Sequence, residues 1–173
     1  MNTKITTAKA HPSRIAHRLG ITLLLSFLAT TILGSSPLTH RQINRISEET
    51  SMVEKPAKAA EIISQTNPSH RQRIAIRVVR IFLKEAHFLA PSLVGAIAGS
   101  SPEVIVEVTS EAVQLFPESA YSIVKAAVAG APDLATAIAL RVSVENLTNA
   151  EPILAGAVSA KPEAAPTLLA ARS

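Results

Sequence analysis

The 173-residue sequence predicts an all-α fold of short antiparallel helices, arranged as a small α-solenoid or an irregular bundle after an N-terminal signal or anchor. The first observation behind this prediction is a sequence motif that recurs between residues 96 and 163. It reads alanine, then isoleucine or valine, then a short spacer, then proline and an acid: Pro102-Glu103, Pro117-Glu118, Pro132-Asp133 and Pro162-Glu163. Self-similarity at a short period is typical of helical repeats.

The second observation is that the copies agree at helical spacing. Pro102, Pro117 and Pro132 each begin a copy of about fifteen residues. The fourth, seventh and eleventh places are apolar in all three: Ile105, Ala120 and Ala135; Val108, Ile123 and Ile138; Ala112, Ala127 and Val142. These places share one side of a helix with about 3.6 residues per turn. Proline is favoured in the first turn of a helix, and an acidic side chain is favoured at the positive end of the helix dipole. Each copy of the motif therefore predicts a junction between two helices.

Composition is the third observation. The chain is 47% apolar but only 3% aromatic, and much of its apolar content is alanine, which buries little area. A single layer of such helices would be marginally stable, so we expect stacking of neighbouring repeats, self-association or a membrane to supplement it. There is no cysteine, which excludes disulfides and thiolate metal sites.

Residues 1–36 are expected to be an address segment. Residues 1–20 carry four basic side chains and no acid, and an apolar run of fourteen residues follows from Ile21 to Gly34. This order favours a cleaved secretory signal, because fourteen helical residues reach only about 21 Å. An uncleaved anchor over 19–38 and an organelle transit peptide remain alternatives. The first two readings predict that the rest of the chain is exported or anchored at a membrane.

Residues 37–67 are polar and mixed, which predicts a linker with one short helix at 57–65 that ends before Asn67-Pro68. Residues 68–90 predict one amphipathic, basic helix. Its basic stripe is the candidate surface for an anionic partner: Arg73, Arg77, Arg80, Lys84 and His87. An apolar stripe lies on the other side, at Ala75, Val79, Phe82, Ala86 and Leu89.

The candidate partners of the basic stripe are an anionic membrane surface and an acidic protein. A solvated face whose apolar side packs on the repeats is the alternative without a partner. Nucleic acid is disfavoured, because export removes the target and no stacking aromatic lies among the arginines. An acidic stripe at Glu103, Glu107 and Glu111 suggests a partner within the protein, and we expect the two stripes to approach each other in one molecule or between two.

The repeat array is assigned to residues 91–173. The run from Val104 to Val108 is β-branched, yet its sister copies contain alanine, so a helix is expected there as well. After Asp133 the period is expected to break, giving a unit of about twenty residues and then one of about ten. Gly95 and Gly156 lie inside apolar runs and predict close approach of helices, whereas Ser100 and Ser101 are expected to cap the following helix.

No motif indicates catalysis, a cofactor or a metal. The five histidines lie outside the repeat array and are not spaced as metal ligands: His11, His17, His40, His70 and His87. The sequence therefore predicts a non-enzymatic protein, exported or membrane-anchored, with a structural or protein-interaction role at the cell envelope and a tendency to form homo-oligomers. The alternative is a membrane-active protein that binds anionic lipid through its basic helix.

Overall fold

The computed structural model describes residues 38–84 and 86–171, so the address segment predicted over 1–36 lies outside the described residues. Within those ranges the chain forms nine α-helices and no strand, and the predicted all-α repeat fold is confirmed. The helices are α1 His40–Glu49, α2 Lys55–Gln65, α3 Pro68–Leu83, α4 Ala90–Ser100, α5 Ile105–Leu115, α6 Ala120–Gly130, α7 Ala135–Glu145, α8 Ala150–Ala160 and α9 Ala165–Ala170.

A single turn of 3-10 helix precedes each helix from α4 to α9. These turns begin every fifteen residues: His87–Leu89, Pro102–Val104, Pro117–Ser119, Pro132–Leu134, Leu147–Asn149 and Pro162–Ala164. The period therefore does not break after Asp133, and the predicted units of twenty and ten residues are wrong. The backbone repeats at Leu147 as it does at Pro132, but the side chain that marks the junction in the sequence is missing there.

The residue before each turn adopts nearly the same backbone conformation in all six junctions, with φ from −146° to −134° and ψ from 51° to 86°. At Ser101 the N–H donates to the Ile97 carbonyl at 2.8 Å, and the carbonyl accepts from the Val104 N–H at 3.2 Å. Proline at the next position has no N–H to satisfy, which explains why it recurs there. Between α6 and α7, each taken with its 3-10 turn, the chain bends by 120°.

The helices form two layers. Each helix packs on the helix two places along the chain, so α2, α4, α6 and α8 make an even layer, and α1, α3, α5, α7 and α9 make an odd layer. One apolar core runs between them. The places predicted from the repeat are buried as expected, and Val108, Ile123 and Ile138 are fully enclosed at the seventh place.

The even layer contains two points of very close approach. A Cβ atom on Gly156 would lie 2.5 Å from the Tyr121 carbonyl oxygen, and one on Gly130 would lie 2.6 Å from the Ala98 Cβ. The predicted close-packing role is thus confirmed for Gly156. The helices also approach closely at Gly95, because its carbonyl oxygen would lie 2.9 Å from a Cβ on Gly130, although a Cβ on Gly95 itself would meet Ala126 at an ordinary 3.6 Å.

The range expected to be a linker, 37–67, contains two helices that join the core. α1 begins with a capping box in which Thr39 and Gln42 satisfy each other's backbone N–H groups, and it buries Ile43. The short helix expected at 57–65 is present as α2, which starts two residues earlier and buries Ile62 and Ile63. The helix α1 was not expected because most of its side chains are polar and its apolar face is narrow.

The helix expected over 68–90 is shorter than predicted, because α3 ends at Leu83. Ala86 already has the junction conformation, and His87 starts the first fifteen-residue unit. Near the C-terminus, Ala165–Ala170 form α9, with Pro166 in its first turn. Among the described residues, no single helix has the length and apolar character to cross a membrane, and only the bent pair Pro117–Gly130 and Pro132–Glu145 meets that test together.

Candidate functional site

Two of the four arginines on α3 face the odd-layer neighbour α5. The Arg80 Nε atom lies 2.5 Å from Glu111 Oε1, and its Nη2 atom lies 2.9 Å from Glu111 Oε2, so the pair is bidentate. Arg71 pairs with Glu103 and also donates to the Ser64 and Thr66 carbonyls. The basic helix and the acidic stripe therefore approach each other within one molecule.

These ion pairs change the titration of their members. Hydrogen bonding to Glu111, together with its charge, raises the pKa of Arg80. The hydrogen bond from Arg71 is the main cause that holds the pKa of Glu103 below its ordinary value. The Arg80 side chain is 62% exposed, although that of Glu111 is only 11% exposed. Pairs open to water contribute about 0.2–1 kcal/mol, so they orient α3 on α5 more than they hold it.

The other two arginines, Arg73 and Arg77, lie beside the start of α1, where Arg77 donates to the Leu38 carbonyl. With His40 they line two adjoining cavities of about 630 Å³ and 470 Å³. His70 lines the second cavity. We call the surface formed by Arg73, Arg77, His40 and His70 the basic groove.

No carboxylate of the described chain pairs with the cations of the basic groove. Arg73 is exposed, whereas Arg77 is half-buried and donates one Nη1 hydrogen bond to the Leu38 carbonyl at 3.3 Å. The Nδ1 atom of His70 is buried without a hydrogen-bond partner in the structure. The groove is therefore a concentration of polar groups in which no described carboxylate neutralises the two arginines.

The structure divides the predicted basic stripe. Arg73 and Arg77 belong to the basic groove, and Arg80 lines its first cavity while pairing with Glu111. Lys84 follows the last residue of α3 and is exposed, and His87 lies in the first 3-10 turn. The His87 ring centroid is 6.1 Å from those of both Phe88 and Phe116, so its neighbours are aromatic rings and not the arginines.

Two groove residues were missed at the level of sequence. His70 stands three residues before Arg73 on the same helix, so extending the stripe by one turn toward the N-terminus would have included it. His40 comes from α1, whose helical character the polar sequence concealed. The only available signal was the Thr39 to Gln42 capping pattern.

The acidic stripe is also divided. Glu111 faces α3, whereas Glu107 lines a third cavity of about 600 Å³ between α5 and α7, together with Arg141 and apolar side chains such as Val106 and Leu140. Glu103 begins this stripe from a 3-10 turn and lines the same cavity.

Across the third cavity, α5 and α7 are joined by the Ser110 hydroxyl, which donates to Glu145. Glu145 also pairs with Arg141 on its own helix. The hydrogen bond from Ser110, followed by that from Arg141, lowers the pKa of Glu145. Polar side chains thus bridge the odd layer at several points.

In the described ranges, no three or more histidine and acidic side chains gather in a way that could hold a metal. The expected capping role of the serine pair is not found, because Ser100 donates to the Ile97 carbonyl and the Ser101 hydroxyl is buried without a partner. No family model, curated protein or solved structure matches this chain.

Proposed function

We propose that this chain is a non-enzymatic helical-repeat protein, exported or anchored at a membrane, with a structural or protein-interaction role at the cell envelope. The observation that carries the proposal is a charge difference along the helical stack. Residues 38–90 contain nine basic and five acidic side chains, a net of +4, and residues 91–173 contain four and eight, a net of −4. The basic region of one copy is therefore complementary in charge to the acidic region of a second copy.

The basic region offers exposed cations that make no ion pair with the described residues, notably Arg41 and Arg45 on α1. The acidic region offers Glu151 and Glu163 around α8 and α9. Opposite charges of this kind steer two molecules into one orientation. Contact between the basic region of one copy and the acidic region of the next is heterologous, and it can continue from copy to copy.

Apolar surface at the acidic end supports the same association. Glu151 lines a groove of about 260 Å³ between α8 and α9 with Leu154, Leu168 and Leu169. Leu169 is 68% exposed. A large exposed apolar side chain gains about 1.5–3 kcal/mol on full burial, which an interface with a second copy could provide.

The location at the envelope rests on the sequence of residues 1–36, where a basic stretch precedes an apolar one. The alternative function is membrane binding through the cationic helix. It is supported by the unneutralised Arg73 and Arg77. Against insertion stands the burial of the apolar face of α3, since Val78 and Phe82 are fully enclosed in the core and would have to leave it.

The test of the proposal is circular dichroism and light scattering on the full chain, with and without anionic vesicles. We expect strong helicity and a defined oligomer in plain buffer, with dissociation at high salt because the contacts are electrostatic. A weakly helical chain that gains helix only with anionic vesicles would instead favour the membrane-active alternative.

A mixing experiment tests the head-to-tail arrangement. We expect the double variants R41Q/R45Q and E151Q/E163Q to lose self-association separately, because each lacks the charge of one of the two surfaces. An equal mixture should form pairs and nothing larger, since one intact surface remains on each partner. Lys125→Glu, on the exposed face of α6 in the middle of the stack, is the matched control and should still self-associate. A mixture that stays monomeric would contradict the arrangement.

A further inference from the structure

From the convergence of Arg73, Arg77, His40 and His70 on two adjoining cavities, we infer that the basic groove binds a phosphate group, carried by a lipid headgroup or by a small soluble molecule. The inference goes beyond the proposed scaffold role and does not rest on it. It starts from the division of the α3 arginines. Arg71 and Arg80 are neutralised by carboxylates of the acidic stripe, whereas Arg73 and Arg77 have none among the described residues.

The two groove arginines are well placed for one tetrahedral anion. They stand four residues apart on α3, so they share a face and are separated by about 6 Å along the axis. Guanidinium groups bind phosphate through paired, charge-assisted hydrogen bonds. Arg77 uses one Nη1 hydrogen bond on the Leu38 carbonyl, which fixes the side chain and leaves its other donors for a ligand.

Half-burial of Arg77 adds a physical reason for a ligand. A cation removed from water without a counter-ion is unfavourable, and the cost falls when an anion binds beside it. The exposed Arg73 lines the same two cavities and completes the pair of cations. An anion placed between the two would therefore compensate a charge that no described carboxylate pairs.

The two histidines add donors from separate places. His40 is the first residue of the ten-residue helix α1, so it lies where the backbone dipole also favours an anion. His70 lies in the first turn of α3 and lines the second cavity, and its Nδ1 atom is buried without a hydrogen-bond partner. A buried polar atom of this kind is rare unless a ligand or water satisfies it.

The size and lining of the groove indicate the class of ligand. The cavities are larger than a phosphate ion, and apolar side chains such as Ile76 and Leu38 line them beside the cations. This combination fits a phosphate attached to a partly apolar organic group.

The experiment is a calorimetric titration of the full chain with inorganic phosphate. We expect Arg73→Gln and Arg77→Gln each to weaken binding by about tenfold, the effect of losing one charge-assisted hydrogen bond. Lys84→Gln is the matched control, because it removes one exposed charge at the end of α3 outside both cavities. Its effect should stay within about twofold, since solvent and salt screen exposed charges.

A second arm identifies the source of the phosphate. The chain is sedimented with vesicles of phosphatidylcholine alone and with vesicles that also contain phosphatidylglycerol. Binding to the anionic vesicles that free phosphate displaces identifies a headgroup, and phosphate binding without vesicle binding identifies a soluble ligand. Each result supports the site.

Two results overturn it. One is the absence of any binding to phosphate or to the anionic vesicles. The other is an equal loss in Lys84→Gln and Arg73→Gln, which would mean general electrostatic attraction. His40→Gln keeps the inference testable if Arg77→Gln disturbs the fold through the lost Leu38 contact, and far-ultraviolet circular dichroism checks each variant for native helicity.

Discussion

Helices α6 and α7 occupy successive fifteen-residue units and bury the same places, yet they differ at the tenth place. The even layer has small residues there, Ala96, Ala126 and Gly156, whereas the odd layer has Glu111 and Arg141. The fourteenth place differs in the same sense: Ser100, Gly130 and Ala160 against Leu115 and Glu145. The backbone conformation repeats every fifteen residues. The size of the side chains at the tenth and fourteenth places repeats only at every second helix.

This difference gives the two layers different kinds of contact. Small residues let backbones of the even layer touch, as Gly156 does against the Tyr121 carbonyl. Long side chains separate the odd helices, which are joined by pairs such as Arg80 with Glu111 and leave cavities between them. The even layer therefore depends on close fit, and the odd layer depends on polar bridges and offers the ligand surfaces.

The largest change in stability is expected when a glycine of the even layer is replaced by a larger residue. We expect Gly156→Ala to lower the free energy of unfolding by about 3 kcal/mol, because the new methyl group would meet the rigid backbone of α6 and force the helices apart. Gly130→Ala should act in the same direction, since its Cβ would also lie 2.9 Å from the Gly95 carbonyl oxygen. Chemical denaturation of the full chain measures both.

Gly99→Ala is the matched control on the same layer. No atom lies within 4 Å of its Cβ position, so the substitution should raise the free energy of unfolding by about 0.5–1 kcal/mol through helix propensity. Equal losses at Gly99 and Gly156 would mean that close approach is not what distinguishes the even layer.

The burial pattern could be predicted from sequence because apolar residues recur at helical spacing. The seventh place holds Val108, Ile123, Ile138 and Ile153, and all are fully buried. The continuation of the period could not be predicted, because the junction at Leu147, like the one at His87, has the backbone conformation of the others without a proline. Proline favours this junction but is not required for it. Counting the repeats by their prolines alone therefore underestimates the number of repeats.

The candidate site was predictable only in part. Opposite charges on neighbouring helices led to the expectation that α3 meets α5, and Arg80 with Glu111 does so. The division of α3 into neutralised and unneutralised arginines could not be foreseen, because it depends on where α1 packs. His40 joins Arg73 only through the tertiary structure.

A smaller effect concerns the junction between the two layers at Ser101. Its hydroxyl is fully buried without a partner, whereas the equivalent residues Ala86 and Ala131 have no polar side-chain atom to satisfy. We expect Ser101→Ala to raise the free energy of unfolding by about 1 kcal/mol, because a buried unpaired hydroxyl is unfavourable. Thermal unfolding measures the gain. Ser143→Ala is the control, since that buried hydroxyl donates to the Ala139 carbonyl at 2.6 Å and its removal should give no gain. A loss of stability in Ser101→Ala would show that the hydroxyl is satisfied.

The smallest expected effect tests the polar bridges of the odd layer through pH. The pKa of Glu145 is lowered in the folded state by Ser110 and then Arg141, whereas an unfolded glutamate titrates near pH ~4.3. Between the two pKa values the unfolded chain binds more protons, so this contribution is present above pH ~4.3 and disappears as the pH falls through the folded pKa.

We therefore expect Glu145→Gln to be less stable than the native chain at neutral pH by under about 1 kcal/mol, as for a partly exposed pair. The difference should vanish in acid, where the native carboxyl is protonated as well. Denaturant titrations at neutral and acidic pH measure it. Glu107→Gln is the control at neutral pH and should change the stability less, because Glu107 forms no ion pair with any described residue. A Glu145→Gln difference that persists unchanged into acid would mean that shape and not charge joins α5 to α7, and the odd layer would then resemble the even one.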